Sequence, residues 1–327
     1  MLWLHMGMPK TGTTALQGFL RRKHSVMNEI GLHYMETGRR RLDGGTRLAI
    51  SHNIVAFHIN QSADPMDPFR SAMTTEYDAH ADQTCVVSSE MFYGCNLNRL
   101  AEVFADIPSR ALTITYYCRR YSDFFEADYK QRAKAGRLSN GGTEYIRQQL
   151  DLIRNHPERL SFSAKLAEIR TAFPGVTVAP LLYERSGMVR GNVVDDFLSR
   201  IGTPLAEEVS AGAVSNPSQS RAASEAFGVI SRALGRKKSR QLRRIFVDDP
   251  VMVRRNDVLE PDERAWLDEF VAKQDTAFQQ EFFPDRPELF TPTTLSDEDK
   301  TFRRDTPEEY EALRKASEIV FRLALDV

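Results

Sequence analysis

Short apolar runs alternate with stretches of helical periodicity along the first two thirds of the chain. Five runs rich in β-branched residues predict buried strands, namely Leu2–Met6, Leu32–Met35, Thr84–Ser89, Leu112–Cys118 and Val176–Tyr183. Apolar spacing between them predicts helices over Thr14–Asn28, Leu97–Phe104, Asp123–Ala135, Glu144–Asn155 and Ala164–Phe173. Because strands that alternate with helices form parallel sheets covered on both faces, the pattern predicts an α/β fold with three α/β/α layers around a central parallel sheet.

The pattern after Tyr183 is almost entirely helical. Three stretches carry an apolar stripe at helical spacing, namely Val189–Ile201, Arg221–Leu234 and Asp262–Glu281. We therefore expect a core domain over residues 1–202 and a helical continuation of the same domain over residues 203–285.

The C-terminal segment has a different character. The region Phe283–Pro307 is rich in Pro, Thr and Asp, which is typical of a linker or surface strap. Thr306, Pro307 and Glu309 then form a helix start with a capping residue, a proline in the first turn and a capping-box acid. We expect residues 286–327 to form a strap and a final helix. Its apolar stripe should dock either on the same chain or on a second subunit, which leaves a homodimer open.

Composition limits the class of protein and the cellular location that we expect. The chain has 327 residues, of which 41% are hydrophobic and 27% are charged, as in ordinary globular proteins. No run approaches the roughly 20 apolar residues that cross a bilayer, so we expect no transmembrane segment. The N-terminus has neither the basic region nor the cleavage site of a signal peptide, which predicts a cytoplasmic location.

Charge is distributed unevenly along the chain. The segment from Asn256 to the end carries 9 Lys and Arg against 19 Asp and Glu, so the rest of the chain is basic. A basic body is suited to an anionic ligand, although it is also compatible with an ordinary solvated surface. The densest basic run, residues 236–244, is short and lacks interleaved aromatics, so we expect no nucleic acid partner.

Cysteine and histidine spacing gives no sign of a metal site. Cys85, Cys95 and Cys118 form no CxxC pair, and we expect them to be small, buried and reduced. The seven histidines lack ligand spacing as well, so we predict no metal.

The most informative stretch is Gly7–Thr14, which lies between the first strand and the first helix. A strand, a glycine turn and a helix N-terminus together form an anion site, because backbone N–H groups converge there and the helix dipole favours negative charge. Gly7 and Gly12 keep the spacing of the nucleotide loop GxxxxGK[ST], but Thr13 occupies the lysine position and the lysine lies inside the loop at Lys10. Neither neighbouring strand ends in the Asp that a Mg²⁺-dependent nucleotide triphosphatase needs. Metal-free anion transfer therefore fits better than ATP hydrolysis.

At these residues the chain resembles the sulfotransferase family, whose fold is P-loop-like and whose 5′-phosphosulfate loop typically reads PKxGTT. The resemblance implies that Lys10 contacts the bridging oxygen of 3′-phosphoadenosine 5′-phosphosulfate (PAPS). It implies in addition that Thr11, Gly12, Thr13 and Thr14 hold the 5′-phosphate, and that Pro9 belongs to the same cofactor-binding loop. The expected donor is PAPS and the expected product nucleotide is PAP, with no metal. The bottom-up alternative is a chance turn rich in Gly and Thr.

Two further places resemble the family. Its 3′-phosphate motif has an Arg just past a strand, an Asp four residues on and a Ser eight residues on; Arg119 and Asp123 match, but Ala127 takes the serine position. We expect Ser122 to substitute for that hydroxyl. The stretch from Leu181 to Gly202 resembles a segment that follows the fifth strand. There Tyr183 is expected either near the adenine or in the core.

Sulfuryl transfer to an alcohol needs a base near the acceptor hydroxyl. Glu90 directly follows the strand Thr84–Ser89, at the edge where α/β proteins bind ligands, and is the first candidate. A capped edge would desolvate it and raise its pKa. His52 is the second candidate and His58 the third, although a lone histidine is more often packed or capping. His5 is expected in the core, and Arg39, Arg40 and Arg41 form either part of an acceptor cleft or a solvated run.

The sequence thus predicts an enzyme, a PAPS-dependent sulfotransferase that acts on a hydroxyl of a carbohydrate or glycolipid. The preference for carbohydrate sulfation comes from the resemblance to glycan-type and bacterial members of the family. Two alternatives stay open: a P-loop small-molecule kinase, and a non-catalytic nucleotide-binding protein.

Overall fold

The fold comes from a computed structural model. It describes residues 1–40, 48–61, 64–138, 142–203, 218–243, 245, 247 and 249–325. The strands are β1 (Leu2–Met6), β2 (Leu32–Tyr34), β3 (Thr84–Ser89), β4 (Leu112–Cys118) and β5 (Thr177–Leu182). Within the described ranges they form one sheet in the order β2-β3-β1-β4-β5, and every pairing is parallel.

Helices flank this sheet, and all regular elements after β5 in the described part of the chain are helical. They are α1 (Thr13–Arg22), α2 (His24–Glu29), α3 (Asn53–Gln61), α4 (Asp67–Ala79), α5 (Leu97–Val103), α6 (Tyr121–Lys134), α7 (Gly142–Asn155), α8 (Phe162–Ala172), α9 (Val193–Arg200), α10 (Arg221–Leu242), α11 (Pro261–Gln274), α12 (Thr276–Phe282), α13 (Asp297–Thr301) and α14 (Pro307–Leu325). The predicted α/β fold with a central parallel sheet and helical C-terminal additions is confirmed.

The two faces of the sheet are packed by different parts of the chain, because strand side chains alternate between the faces. On one face, Trp3 and Tyr117 pack into a cluster with apolar residues of α1, α2 and α9, such as Leu16 and Phe197. On the other face, the ring of Tyr116 contacts that of Tyr93 at 5.9 Å between centroids. Adjacent residues of β4 therefore belong to two separate apolar layers, as a three-layer fold requires.

The chain divides into two compact units, each assembled from three segments. Unit 1 comprises Met1–Arg119, Phe162–Val214 and Ala277–Phe290, and contains the sheet. Unit 2 comprises Arg120–Ser161, Ser215–Thr276 and Thr291–Val327. These units cut across the consecutive division at residues 202 and 285 that the sequence suggests.

Unit 2 is helical. Its apolar core joins α10 to α14 through Phe227, Ile230, Ala316 and Val320. At the start of α14 the hydroxyl of Thr306 accepts a hydrogen bond from the backbone N–H of Glu309, so Thr306 caps the helix as predicted. The apolar stripe of α14 is thus covered, at least in part, by its own chain.

Several predicted helices have different limits in the structure. The predicted helix Thr14–Asn28 is two helices, because Lys23 leaves helical geometry with φ −102° and ψ 16°. The helix predicted over Asp262–Glu281 likewise divides at Asp275 into α11 and α12. Within the described residues, no helix combines the length and the apolar character needed to cross a bilayer.

The three cysteines are buried thiols, as expected. Burial raises the pKa of Cys85 and of Cys95 to about 11, so both thiols stay protonated at neutral pH.

Candidate functional site

The turn that follows β1 lies at the middle of the sheet edge. β1 pairs with β3 on one side and with β4 on the other, so the carboxyl ends of all three strands meet there. The backbone N–H of Gly7 donates to the carbonyl oxygen of Ser89 at 3.0 Å, which extends the pairing of β1 with β3 into the turn. A Cβ atom at Gly7 would lie 2.2 Å from Cγ2 of Thr13, so only glycine fits this close approach.

Two residues of the turn adopt the left-handed backbone conformation. Gly12, at φ 76°, is the N-cap of α1, and Lys10 has a φ of 68°. Glycine takes this conformation without cost, whereas a residue with a Cβ atom pays about 1 kcal/mol or more. Residues held in such conformations cluster at ligand-binding sites. The turn is braced from inside by the hydroxyl of Thr11, which donates to the carbonyl oxygen of Met8 at 2.6 Å.

The N-terminus of α1 has the features of an anion site. No side chain caps this helix end within the described residues. The N–H groups of Ala15 and Leu16 donate to the carbonyl oxygen of Gly12, whereas those of Thr13 and Thr14, at the very start of α1, have no intrahelical acceptor. The positive end of the helix dipole adds to these donors, and the first turn of α1 contains no acidic residue. The local structure therefore has the strand, the turn and the helix N-terminus that the sequence predicts, a geometry that is suited to an anion.

Two of the predicted ligand residues lie against the turn. The guanidinium of Arg119, which directly follows β4, donates a hydrogen bond to the carbonyl oxygen of Lys10 and lies 5.4 Å from the ring centroid of Tyr183. The hydroxyl of Tyr183 would lie 3.4 Å from a Cβ atom at Gly12. The structure thus brings Lys10, Gly12, Arg119 and Tyr183 together at one sheet edge.

The threonine hydroxyls are arranged differently from the sequence expectation. The hydroxyl of Thr11 is occupied within the turn, and that of Thr13 donates to a carboxylate oxygen of Glu90 at 3.1 Å. Both side chains are buried, whereas Thr14 is exposed. The expectation that Thr11 and Thr13 hold the 5′-phosphate is therefore corrected for their hydroxyls, because in this conformation both hydroxyls donate to groups of the protein.

Glu90 lies beside the turn, directly after β3. Its carboxylate accepts the hydrogen bond from Thr13, and a Cβ atom at Gly7 would lie 3.2 Å from the Cα of Glu90. The side chain is exposed, which differs from the capped and desolvated environment that the sequence suggested. An exposed carboxylate at this position is accessible to an acceptor hydroxyl from solvent.

His52 occupies a core position. It has no exposed surface, and its Nδ1 accepts the backbone N–H of Ser88 at 3.1 Å. Burial lowers its pKa to about 3, so the ring is neutral. His52 thus has no route to an acceptor in this conformation, and it packs edge-on against Tyr34 with 5.2 Å between ring centroids. His58 likewise packs against a core ring, that of Phe69.

A polar network beneath the turn was not predicted as a unit. His5 of β1 pairs through Nδ1 with the hydroxyl of Ser88 at 2.8 Å, and the amide of Gln17 in α1 donates to the same hydroxyl at 3.1 Å. All three side chains are buried. The network ties β1, β3 and α1 together directly below the turn. Its signal in the sequence is the presence of polar residues at core positions of two strands and a helix.

Ser122 and Asp123 belong to unit 2, where both pair with Arg264. Ser122 has no exposed surface, and its hydroxyl accepts from Arg264 at 3.1 Å. The expectation that this hydroxyl replaces the serine missing at Ala127 is therefore corrected. Arg264 also donates to Asp123 at 3.5 Å, so the acidic member of the resembling motif has a structural partner.

The arginines after β2 divide between two roles. Arg39 is buried and donates to the carbonyl oxygens of Tyr34, Met35 and Ala49, which anchors the segment after the edge strand. Arg40 is exposed and pairs with Glu36 at 3.0 Å, as in a solvated run. Arg41 lies outside the described residues.

Among the described residues, no group of three or more His, Cys, Asp or Glu side chains is arranged to hold a metal ion.

Comparisons with known proteins give little further guidance. No protein family and no solved structure matches the chain. A protein of Archaeoglobus fulgidus, described as an uncharacterized protein, is 29% identical over 135 residues. The match covers 41% of this chain and 34% of that protein, so the chain matches about a third of the relative's length.

Proposed function

We propose that this chain is a PAPS-dependent sulfotransferase that moves a sulfuryl group to a hydroxyl of an acceptor, a carbohydrate or a glycolipid. The proposal rests on one observation above all. The turn after β1 holds a lysine, Lys10, in a left-handed conformation directly before the uncapped N-terminus of α1, and the guanidinium of Arg119 bonds to that lysine's carbonyl oxygen. Because Lys10 lies within the turn rather than after it, its ammonium is suited to stabilise negative charge that develops on a ligand at the mouth of the turn.

The charge arrangement supports binding of a phosphosulfate group. The 5′-phosphate of PAPS would accept hydrogen bonds from the backbone N–H groups of Thr13 and Thr14, at the positive end of α1. Arg119 and Tyr183 then lie beside the same turn, where a second phosphate and an aromatic base would find a cation and a ring face. The second phosphate and the aromatic base are the groups that distinguish PAP from a simple phosphate.

In the proposed transfer step one bond forms and one bond breaks, and Lys10 and Glu90 each have a separate role. The acceptor oxygen forms a bond to sulfur while the bond from sulfur to the 5′-phosphate oxygen of PAPS breaks, which leaves PAP. Negative charge grows on that departing oxygen, and the ammonium of Lys10 stabilises it. The acceptor's proton passes to Glu90, which is exposed at the mouth of the turn.

Thr13 gives Glu90 a fixed position in this scheme. Its hydroxyl donates to the Glu90 carboxylate at 3.1 Å, while its methyl group packs where a side chain on Gly7 would lie. The base and the phosphate-binding helix end are therefore joined through one residue. Holding reacting groups in register in this way supplies a large share of an enzyme's rate.

Variants at Lys10 and Glu90 test the proposal. We expect Lys10→Gly to lower turnover of PAPS by about a hundredfold or more, since it removes the ammonium and keeps a residue that accepts the left-handed conformation. We expect Glu90→Gln to keep the affinity for PAP and to lose turnover by a similar factor. The exposed Glu102→Gln on α5 is the matched control and should behave as the wild type.

The outcomes separate the candidate roles and functions. Near-normal turnover of Glu90→Gln would remove Glu90 as the base and overturn this part of the proposal. PAP binding without turnover in the wild type would favour a non-catalytic nucleotide-binding protein. Binding of ATP with Mg²⁺, but not of PAP, would favour a small-molecule kinase. The cytoplasmic location and the homodimer stay predictions alongside this proposal.

A further inference from the structure

A second feature, outside the candidate site, is the reversal of α10 at Gly235. Gly235 has a φ of 81° in the middle of this helix. The hydroxyl of Ser239 donates to the carbonyl oxygen of Phe227 at 3.4 Å, although residues twelve apart in a straight helix are separated by about 18 Å. The two halves of α10 therefore run back along each other. We call residues 232–240, around the reversal, the α10 tip.

The α10 tip carries only positive charge. Between Glu225 and Asp248 the sequence holds seven Lys and Arg and no Asp or Glu. Arg232, Lys237 and Arg240 are exposed. Within the part of the chain that the structure describes, none of these three forms an ion pair, whereas most exposed arginines of α6, α7 and α14 pair with an acid on their own helix. This charge is therefore presented to solvent without neutralisation.

An exposed leucine lies at the same tip. Leu234 immediately precedes the reversal and is 49% exposed. Helical spacing from the buried Phe227 and Ile230 would place Leu234 on the apolar stripe of α10, but the chain reverses there and the side chain leaves the core. The tip thus combines an unburied apolar side chain with flanking cations, which is the arrangement of segments that lie in a membrane interface.

We propose that the α10 tip binds the surface of an anionic phospholipid bilayer. Arg232, Lys237 and Arg240 contact lipid phosphates, and Leu234 enters the boundary between headgroups and acyl chains. Charge complementarity selects an anionic surface, and the leucine selects a bilayer over a nucleic acid, which offers no apolar layer to an aliphatic side chain. This surface is independent of the sulfuryl-transfer proposal, because it lies in unit 2 and uses none of the residues assigned above.

Vesicle co-sedimentation of the full chain tests this inference. We expect binding to vesicles of phosphatidylcholine mixed with phosphatidylglycerol, and no binding to vesicles of phosphatidylcholine alone. Lys237→Gln combined with Arg240→Gln should weaken binding by about twenty-fivefold, at about fivefold per charge. Leu234→Ala should weaken it by about tenfold. Lys273→Gln combined with Lys315→Gln removes the same charge from exposed positions on α11 and α14 and is the matched control.

The Leu234→Ala variant distinguishes a bilayer from a general polyanion as the ligand of the α10 tip. Thermal melts of each variant would show whether the fold is retained, and exposed positions such as these should change it little. If Leu234→Ala binds mixed vesicles as well as the wild type does, and a DNA duplex competes for the tip, the surface is a polyanion site and the bilayer proposal is overturned. Equal binding to neutral vesicles, or an equal loss in the control pair, would overturn it as well.

Discussion

The guanidinium of Arg119 donates a hydrogen bond to the carbonyl oxygen of Lys10, two residues before the N-cap of α1. This contact joins the carboxyl end of β4 to the turn that follows β1. It also holds Lys10 in place, which is the non-glycine residue of the turn whose backbone is left-handed. The geometry of the candidate phosphate site therefore depends on a side chain that lies 109 residues away in sequence.

Removing this contact should weaken nucleotide binding. We expect Arg119→Gln to lower the affinity for PAP by about tenfold or more, because a hydrogen bond from a charged group contributes about 1.5–3 kcal/mol. Isothermal titration with PAP measures the change. Arg120→Gln is the matched control, since that neighbouring side chain bonds to the carbonyl oxygen of Thr291 in unit 2. An equal loss in both variants would contradict the role given to Arg119.

The close approach at Gly7 predicts a selective loss of stability. An added methyl group would overlap the side chain of Thr13, and overpacking of this kind costs about 1–3 kcal/mol. We expect Gly7→Ala to lower the free energy of unfolding by that amount and to lower PAP affinity. Gly94→Ala, where the added atom meets nothing within 4 Å, should match the wild type. Urea denaturation of both variants checks the prediction, and equal stabilities would count against the tight turn.

Buried neutral histidines predict a loss of stability in acid. Burial lowers the pKa of His5 to about 4 and that of His52 to about 3, from the usual histidine value of 6.5 in each case. Below pH 6.5 the unfolded chain therefore binds protons that the folded chain excludes. Stability is fully present above that pH and falls by about 1.4 kcal/mol per pH unit for each histidine as the pH decreases toward the folded pKa.

Glu76 extends this loss to lower pH. Hydrogen bonds from His33, Thr37 and the backbone lower its pKa from 4.5 to about 2 despite the opposing effect of burial, so its contribution is lost below about pH 4.5. Denaturation at several pH values should show stability decreasing from about pH 6.5 downward. His5→Gln should reduce the slope. An unchanged slope in that variant would refute the assignment.

A buried charge cluster should dominate the stability of unit 2. Lys130 is 4% exposed and pairs with Asp257 at 2.5 Å, and it donates to the carbonyl oxygens of Arg254 and Arg255 at 2.8 Å each. Removal of one partner of a buried pair costs about 3–5 kcal/mol, because the other charge stays buried. Lys130→Met should therefore destabilise the protein by that amount.

An exposed ion pair supplies the comparison for this variant. Lys273 pairs with Glu269 on α11, and both side chains are mostly exposed. Lys273→Met should change the free energy of unfolding by no more than about 0.5 kcal/mol, because exposed pairs contribute little. Similar effects of Lys130→Met and Lys273→Met would show that the buried cluster does not carry the stability assigned to it.

The strands were the most predictable elements of this fold. The bounds of β1, β3 and β4 agree with the sequence expectation, because buried parallel strands are continuous apolar runs that end where polar residues begin. The sequence pattern did not predict helices α3 and α4. α4 buries only Phe69 and Met73, and two residues are too few to define a stripe. The reversal of α10 was missed as well, since Gly235 is one residue in an otherwise helical stretch.

The candidate site was predictable in its backbone but not in its side-chain partners. The order of glycines and lysine between a strand and a helix was sufficient to predict the turn, since that geometry is local. The partners of Thr13, Ser122 and His52 depend on groups 77, 142 and 36 residues away. Sequence spacing carries no information on contacts of this range. Each of those hydroxyl and imidazole groups therefore had to be located in the structure.

The central claim is that the turn between β1 and α1 binds a nucleotide carrying phosphosulfate chemistry rather than a triphosphate with a metal. Thermal melting of the wild-type chain with PAP, and separately with ATP and Mg²⁺, tests it most directly. A ligand at about 100 times its dissociation constant adds about 2.7 kcal/mol to the folded state. We expect PAP to raise the melting temperature and Lys10→Gly to reduce that rise. A rise with ATP and Mg²⁺ and none with PAP would contradict the account.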